Sequence, residues 1–188
     1  MKFIKDEEFI RGNCPMTKEE IRILTVAKLE LENDFNILDV GAGTGSVSIQ
    51  IAKCCPKGQV TAIEMDSEAL ETIKINKEKF KAGNLRIVEG EALKVLDNIK
   101  GEFDGIFIGG SGGNIETIIS EYGKKLKIGR KMLLNFITIN NLYKAMNTLK
   151  ELNYLVECIE VGVSKTVGSS YMLKAQNPIF IITATKVK

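Results

Sequence analysis

The run Asp39-Val-Gly41-Ala42-Gly43-Thr44-Gly45 places three glycines at alternate positions behind a carboxylate. It follows a short apolar run and opens a helical pattern. Glycine lets the backbone turn tightly and approach a ligand, and the free N–H groups of a helix start favour negative charge. A second carboxylate, Glu64, ends the next apolar run, where such a group can accept both hydroxyls of a ribose. Met65 beside it can lie against a base. Gly90-Glu91-Ala92 ends the third run. There an acid and a backbone amide could read an adenine edge, or Glu91 could simply be a carboxylate favoured by a helix dipole.

Two ligands compete for this loop. A dinucleotide fingerprint needs G-x-G-x-x-G/A, and here the sixth position is Ser46. Asp39, two residues before the first glycine, would repel a pyrophosphate. It suits a ligand with an ammonium group, such as the methionine part of S-adenosylmethionine (SAM). SAM is therefore the expected cofactor.

After the fourth apolar run comes Asp104-Gly-Ile-Phe-Ile-Gly109-Gly110-Ser111-Gly112-Gly113. The loop has no proline and no aromatic residue, so it does not fit the Asn/Asp-Pro-Pro-aromatic pattern of amino-group methylation. Its small residues leave space for a flat, bulky ligand and offer backbone amides, or form a turn capping the next helix with Asn114 as N-cap. The chain has no histidine. That removes Ser-His-Asp and Cys-His catalysis and His-ligated metals. Any chemistry must then run on carboxylates, lysines, tyrosines, backbone dipoles or a borrowed cofactor.

These residues need a sheet to carry them. Strands are expected at Asn36–Val40, Gln59–Glu64, Leu85–Glu89, Phe103–Ile108 and Lys131–Ile137, each rich in Ile, Val, Leu and Phe. Such runs read as parallel strands buried on both faces. Helices fit Ser46–Cys54 and Ser67–Phe80, and two further stripes begin at Ile115 and Leu142; the first of these runs through Ile118, Ile119 and Tyr122 to Leu126. Thr17-Lys-Glu-Glu20 predicts a capping box opening another helix. Tyr154–Val163 and Ile179–Lys186 predict two final strands joined by a polar link, Ser164–Asn177. The expected architecture is α/β: one open, mostly parallel sheet with an antiparallel feature at its edge. Residues 1–16 read as an arm before a single domain over 17–188.

The chain has 188 residues and a net charge of +2, which gives no electrostatic reason to expect nucleic acid as partner. No apolar run approaches the about eighteen residues that span a bilayer. The acidic start is unlike a secretory signal. Cys14, Cys54, Cys55 and Cys158 show no C-x-x-C spacing, so free thiols in a reducing cytoplasm are expected, and no metal site.

The glycine loop with Glu64 and a terminal strand pair resembles the class I SAM-dependent methyltransferases, with their Rossmann-like, seven-stranded sheet and antiparallel final strand. The arm Asp6–Gly12, then Pro15-Met-Thr-Lys-Glu-Glu-Ile-Arg22, resembles the CbiT family more closely. So do Ile108–Gly113 and Gln176-Asn-Pro-Ile-Phe180. That family comprises the cobalt-precorrin-6B carbon-15 methyltransferases (decarboxylating) of anaerobic cobalamin biosynthesis. The resemblance implies that Thr17, Gly41–Gly45, Glu64 and Ala92 bind SAM, and that the substrate is a tetrapyrrole. It also implies a homo-oligomer, a tetramer, for which a free Phe3–Ile10 arm would be one contact. Many relatives have aspartate at the positions of Glu64 and Glu91.

A polycarboxylate substrate calls for cations, and Arg11, Lys165 and Lys174 are the candidates. The denser cluster Lys124, Lys125, Lys127, Arg130 and Lys131 is expected to offset a helix C-terminus. Three other readings stand beside this one: a SAM methyltransferase of RNA or protein, a SAM-binding protein without catalysis, and a nicotinamide oxidoreductase. Aromatic residues are 6% of the chain and tryptophan is absent, which disfavours a stacking nucleic-acid surface.

Overall fold

The computed structural model describes residues 3–110 and 113–188. The apolar runs form β1 (Asn36–Val40), β2 (Gln59–Glu64), β3 (Leu85–Glu89), β4 (Phe103–Ile108) and β5 (Leu126–Phe136). Helices α1 (Glu19–Lys28), α2 (Ser46–Cys54), α3 (Ser67–Lys79), α4 (Ile115–Gly123) and α5 (Ile139–Glu151) connect or flank them. The chain closes with β6 (Leu155–Val161), β7 (Ser164–Val167), β8 (Met172–Ala175) and β9 (Ile179–Thr185).

Seven strands form one sheet in the order β3-β2-β1-β4-β5-β9-β6. β9 runs antiparallel to both neighbours, as in Leu134 opposite Ile182 and Cys158 opposite Ile182. The antiparallel strand is therefore one position in from the edge, not at it. Successive strand residues feed opposite faces. Ile37, Val60, Ala62 and Ile181 meet α1, α2 and α3, whereas Leu38, Ile63, Ile106 and Ile182 meet α4 and α5. No helix among the described residues is long and apolar enough to cross a membrane.

Several sequence expectations are corrected. The polar link Ser164–Asn177 holds a hairpin, β7 with β8, outside the main sheet. Its strands are exposed on both faces, so no burial pattern marked them. Leu126 belongs to β5, because α4 stops at Gly123. The cation cluster therefore lies mostly on a strand. Lys127 reaches Asp104 at 2.7 Å, Arg130 reaches Glu32 at 3.6 Å, and Lys131 pairs with Glu30. Asn114 is the N-cap of α4, without a side-chain capping bond.

The capping box at Thr17 does not form. Lys18 is the N-cap of α1, and Glu20 bonds Lys165 at 2.6 Å instead of reaching back. Arg22, which is fully buried, binds the same turn. Its Nη1 donates to the Thr17 carbonyl at 2.8 Å and its backbone N–H to the Lys18 carbonyl at 2.8 Å.

The N-terminal arm is not free. Ile4, Phe9 and Met16 are buried in the core. Phe9 packs on Phe80 with ring centroids 4.8 Å apart, and the Arg22 guanidinium lies 4.9 Å over the Phe9 ring. Burying one such side chain contributes about 1.5–3 kcal/mol, so three of them hold the arm down. Polar bonds add to this. Arg22 also donates to Asp6 at 3.0 Å and to the Ile4 carbonyl at 2.5 Å.

Candidate functional site

β1 lies between β2 and β4, so the connections leaving β1 and β4 diverge and open a crevice at their carboxyl ends. Gly41–Gly45 fills the start of that crevice. The N–H groups of Gly41 and Ala42 both donate to the Ile63 carbonyl at 3.0 Å. Gly45, at φ +76°, is the N-cap of α2, and a Cβ there would meet Ile73 Cγ1 at 2.3 Å. Glycine is thus required for both conformation and space. Gly41 has the same φ, and a Cβ on it would lie 2.7 Å from the Gly110 carbonyl oxygen. Gly109 extends the pairing by donating its N–H to the Val40 carbonyl at 3.0 Å.

Glu64 is turned in toward this loop. Its Oε2 accepts from the Gly43 N–H at 2.7 Å, and its Oε1 accepts from Met65 and Asp66 at 2.8 and 2.9 Å. Charge-assisted bonds of this kind are roughly twice as strong as neutral ones. Asp39 lies below the loop, fully buried. Ser48 Oγ donates to its Oδ2, and its Oδ1 has no partner. Burial pushes the Asp39 carboxyl up to about 7; Ser48 opposes that shift and the Glu64 charge adds to it.

A cleft of about 580 Å³ opens beside the loop. Gly41, Ala42, Gly43, Thr44 and Gly109 form one wall. Pro15–Lys18 and Ile21 form a second, and Phe107, Asn135, Phe136 and Ile137 at the ends of β4 and β5 form a third. Gln176, Asn177 and Ile179 close it. Among the described residues, Lys18 is the only ionisable side chain in the lining. Asn76 couples the arm to the loop: its Nδ2 donates to the Ile10 and Thr44 carbonyls at 2.8 and 3.0 Å, and its Oδ1 accepts from the Ile10 N–H at 2.9 Å.

The model of the precorrin methyltransferase domain matches residues 8–186. The chain belongs to that family. It is 46% identical over 187 residues to a probable cobalt-precorrin-6B C(15)-methyltransferase (decarboxylating) of Sulfolobus acidocaldarius, covering 97% of each chain. It is 40% identical to the cobalt-precorrin-6B C(15)-methyltransferase (decarboxylating) of Salmonella typhimurium, covering 97% of this chain and 96% of that one. Among solved structures it resembles a precorrin-6y C5,15-methyltransferase of Geobacter metallireducens, with TM-score 0.94 and 40% identity over 98% and 96% of the two chains. A SAM-dependent O-methyltransferase of Thermotoga maritima shares the fold alone, at TM-score 0.78 and 19% identity, covering 92% of this chain and 67% of that one. The sheet is that of the class I SAM methyltransferases.

In this precorrin methyltransferase domain, the sequence-predicted residues fall into three groups. Thr17, Gly41, Ala42, Gly43, Thr44 and Gly109 meet in the cleft, with Gly45 and Glu64 fixing the loop from behind. Met65, Glu91 and Ala92 stand outside that lining, just past the ends of β2 and β3. Met65 is 64% exposed there. Glu91 caps its own turn, accepting from Leu93 and Lys94 at 3.2 and 3.1 Å. The Ala92 carbonyl accepts from Tyr122 Oη at 2.5 Å. Gly110 rests on Gly41 and Gly113 has open space beside it, whereas Ser111 and Gly112 lie outside the described residues.

The third group is the cations, and none of them lines the cleft. Arg11 stands 3.9 Å from Asp6, Lys165 is bonded to Glu20, and Lys174 faces Lys165 across the β7–β8 hairpin. Sequence reasoning missed Lys18, Asn135, Phe136 and Gln176 as lining. A signal existed for Asn135, a lone amide in the apolar run Leu133–Phe136, where burial demands a partner. That partner is Thr25, at 3.0 Å.

Proposed function

We propose that the protein is a SAM-dependent C-methyltransferase that methylates carbon 15 of cobalt-precorrin-6B and removes the carbon-12 acetate carboxyl as carbon dioxide, in cobalamin biosynthesis. The observation that carries this reading is an intact glycine loop, tied by Glu64 at the switch point, in a chain akin over its whole length to enzymes bearing that name.

The residues present fit SAM. Gly41 and Gly43 keep side chains out of the cradle, Thr17 and the start of α2 offer donors, and Met65 and Ala92 border the adenine end. Asp39 lies buried beneath the loop with Oδ1 unpartnered, and a ligand ammonium bound above it would favour its charged form. When bound, SAM supplies an electrophilic methyl group. The chain's own part is to bind, orient and exclude water. Among the described residues the lining holds no carboxylate and no imidazole to act as a base, and Phe107, Phe136 and Ile179 make the wall apolar. Alignment of this kind is worth several orders of magnitude in rate. The conjugated macrocycle serves as the electron sink for loss of the carboxyl.

The same reading includes a cytoplasmic homo-oligomer, a tetramer, without nucleic acid or membrane as partner. With the arm folded down, the assembling surface is assigned to the β7–β8 hairpin, where Tyr171, Met172 and Leu173 are exposed. Such an apolar cluster on a projecting ribbon marks an association site.

The test is incubation with SAM and cobalt-precorrin-6B, followed by mass spectrometry of the product. The expected product has gained one methyl group and lost one carbon dioxide. An unaltered tetrapyrrole overturns the substrate assignment, and methylated RNA or protein in its place would redirect it.

A further inference from the structure

We infer that Lys18 is the cation that holds a ligand carboxylate in the cleft. The inference rests on the methyltransferase reading and names a residue that reading leaves unused.

Lys18 is half-buried and lines the cleft, with no ion pair or side-chain hydrogen bond among the described residues. The neighbouring cations are already committed: Arg22 and Arg11 to Asp6, Lys165 to Glu20. No ion pair within 4.0 Å joins Lys18 to either following acid, Glu19 or Glu20. The backbone carrying it is fixed, because Arg22 holds the carbonyls of both Thr17 and Lys18. A partly desolvated cation on a rigid segment, unneutralised by its own chain, is a binding element for an anion.

The surrounding groups say which anion. Gln176, Asn177 and Thr17 supply neutral donors in the same cleft, and Phe136 and Ile137 supply apolar wall. Among the described residues, no second cation lines the cleft. One ammonium with neutral donors suits a singly charged carboxylate better than a phosphate. Two carboxylates are available in this chemistry: that of the methionine part of SAM, and those on the tetrapyrrole side chains.

The test uses Lys18→Gln and Lys18→Arg in the full chain, with unchanged melting temperature as the folding control. Calorimetry measures S-adenosylhomocysteine, which keeps the carboxylate, and 5′-methylthioadenosine, which lacks it. Steady-state rates measure cobalt-precorrin-6B. Loss of one charge-assisted contact corresponds to a change of about tenfold or more. If Lys18→Gln weakens S-adenosylhomocysteine that much and spares 5′-methylthioadenosine, with Lys18→Arg between, the carboxylate is the cofactor's. If both nucleosides bind as before and the tetrapyrrole KM rises about tenfold, the carboxylate is the substrate's. Equal weakening of both nucleosides makes Lys18 a shape element and overturns the inference, as does no change anywhere. Should the wild-type chain turn over no tetrapyrrole, the proposed substrate falls, and Lys18 stands or falls on the two nucleosides alone.

Discussion

Gly110 rests on Gly41 so closely that a methyl group on Gly41 would come within 2.7, 2.8 and 2.9 Å of the Gly110 carbonyl oxygen, nitrogen and Cα. The loop after β4 is thereby a neighbour of the glycine loop as well as a border of the cleft. All three approaching atoms are backbone, which cannot rotate away as a side chain would.

Gly41→Ala is therefore expected to separate the two loops. The residue also stands at φ +76°, which an alanine occupies only with strain of about 1–2 kcal/mol. Calorimetry should show S-adenosylhomocysteine affinity reduced at least tenfold, or about 1.4 kcal/mol. Retained affinity would show that the loops part without cost to the site.

Glu64→Ala should weaken both the fold and SAM binding. Three backbone N–H groups, from Gly43, Met65 and Asp66, lose their shared acceptor. Leaving such groups unpaired costs about 1–3 kcal/mol each where water does not reach. A thermal melt in the absence of ligand should fall clearly. An unchanged melt would mean that the carboxylate serves the ribose alone.

Asp39 should make the unliganded protein less stable as pH rises. Its carboxyl titrates at about 7 in the fold, chiefly because of burial, against about 3.9 in an unfolded chain. Between those values the folded state holds the extra proton. Stability linked to Asp39 is thus complete below about pH 4 and lost as pH rises toward 7, at up to about 1.4 kcal/mol per pH unit. The measurable quantity is the stability of the parent minus that of Asp39→Asn between pH 4 and 8. A flat difference would refute the assignment.

Leu173→Glu on the β7–β8 hairpin should reduce the mass seen by light scattering and leave S-adenosylhomocysteine affinity as it was. The side chain is 69% exposed and lines no part of the cleft, so neither folding nor the glycine loop depends on it. A parent that is itself a monomer, or a variant with unaltered mass, removes the hairpin from the assembly.

The legible parts of the sequence were those with a single physical cause. β1, β2 and β4 read from short runs dominated by Ile, Val, Leu and Phe without polar alternation, because both faces are buried. The glycine loop read from composition because nothing larger fits at Gly41 and Gly45. The illegible parts depended on distant partners. Nothing beside Arg22 in the sequence marks it as buried, yet Asp6, Ile4 and Thr17 surround it in the fold. Glu64 reads as a free acceptor, whereas in the fold the N–H groups of Gly43, Met65 and Asp66 already bond it. Lys127 and Arg130 carry the polar start of β5, which reads as a helix C-terminus until Asp104 and Glu32 are placed opposite. β7 and β8 have no buried face to leave a pattern.

The place of β9 between β5 and β6 imposes an order on synthesis. Lys131 meets Thr185, and Leu155 meets the same residue from the other side. β5 and β6 are both made before the strand that joins them, and the hairpin intervenes. Until Ile179–Thr185 emerges, each presents an open edge capable of pairing with another chain. A nascent polypeptide stopped anywhere after β6 and before β9 carries two such edges beside a finished glycine loop. Its half-built sheet is a substrate for chaperones and proteases before it can serve as an enzyme.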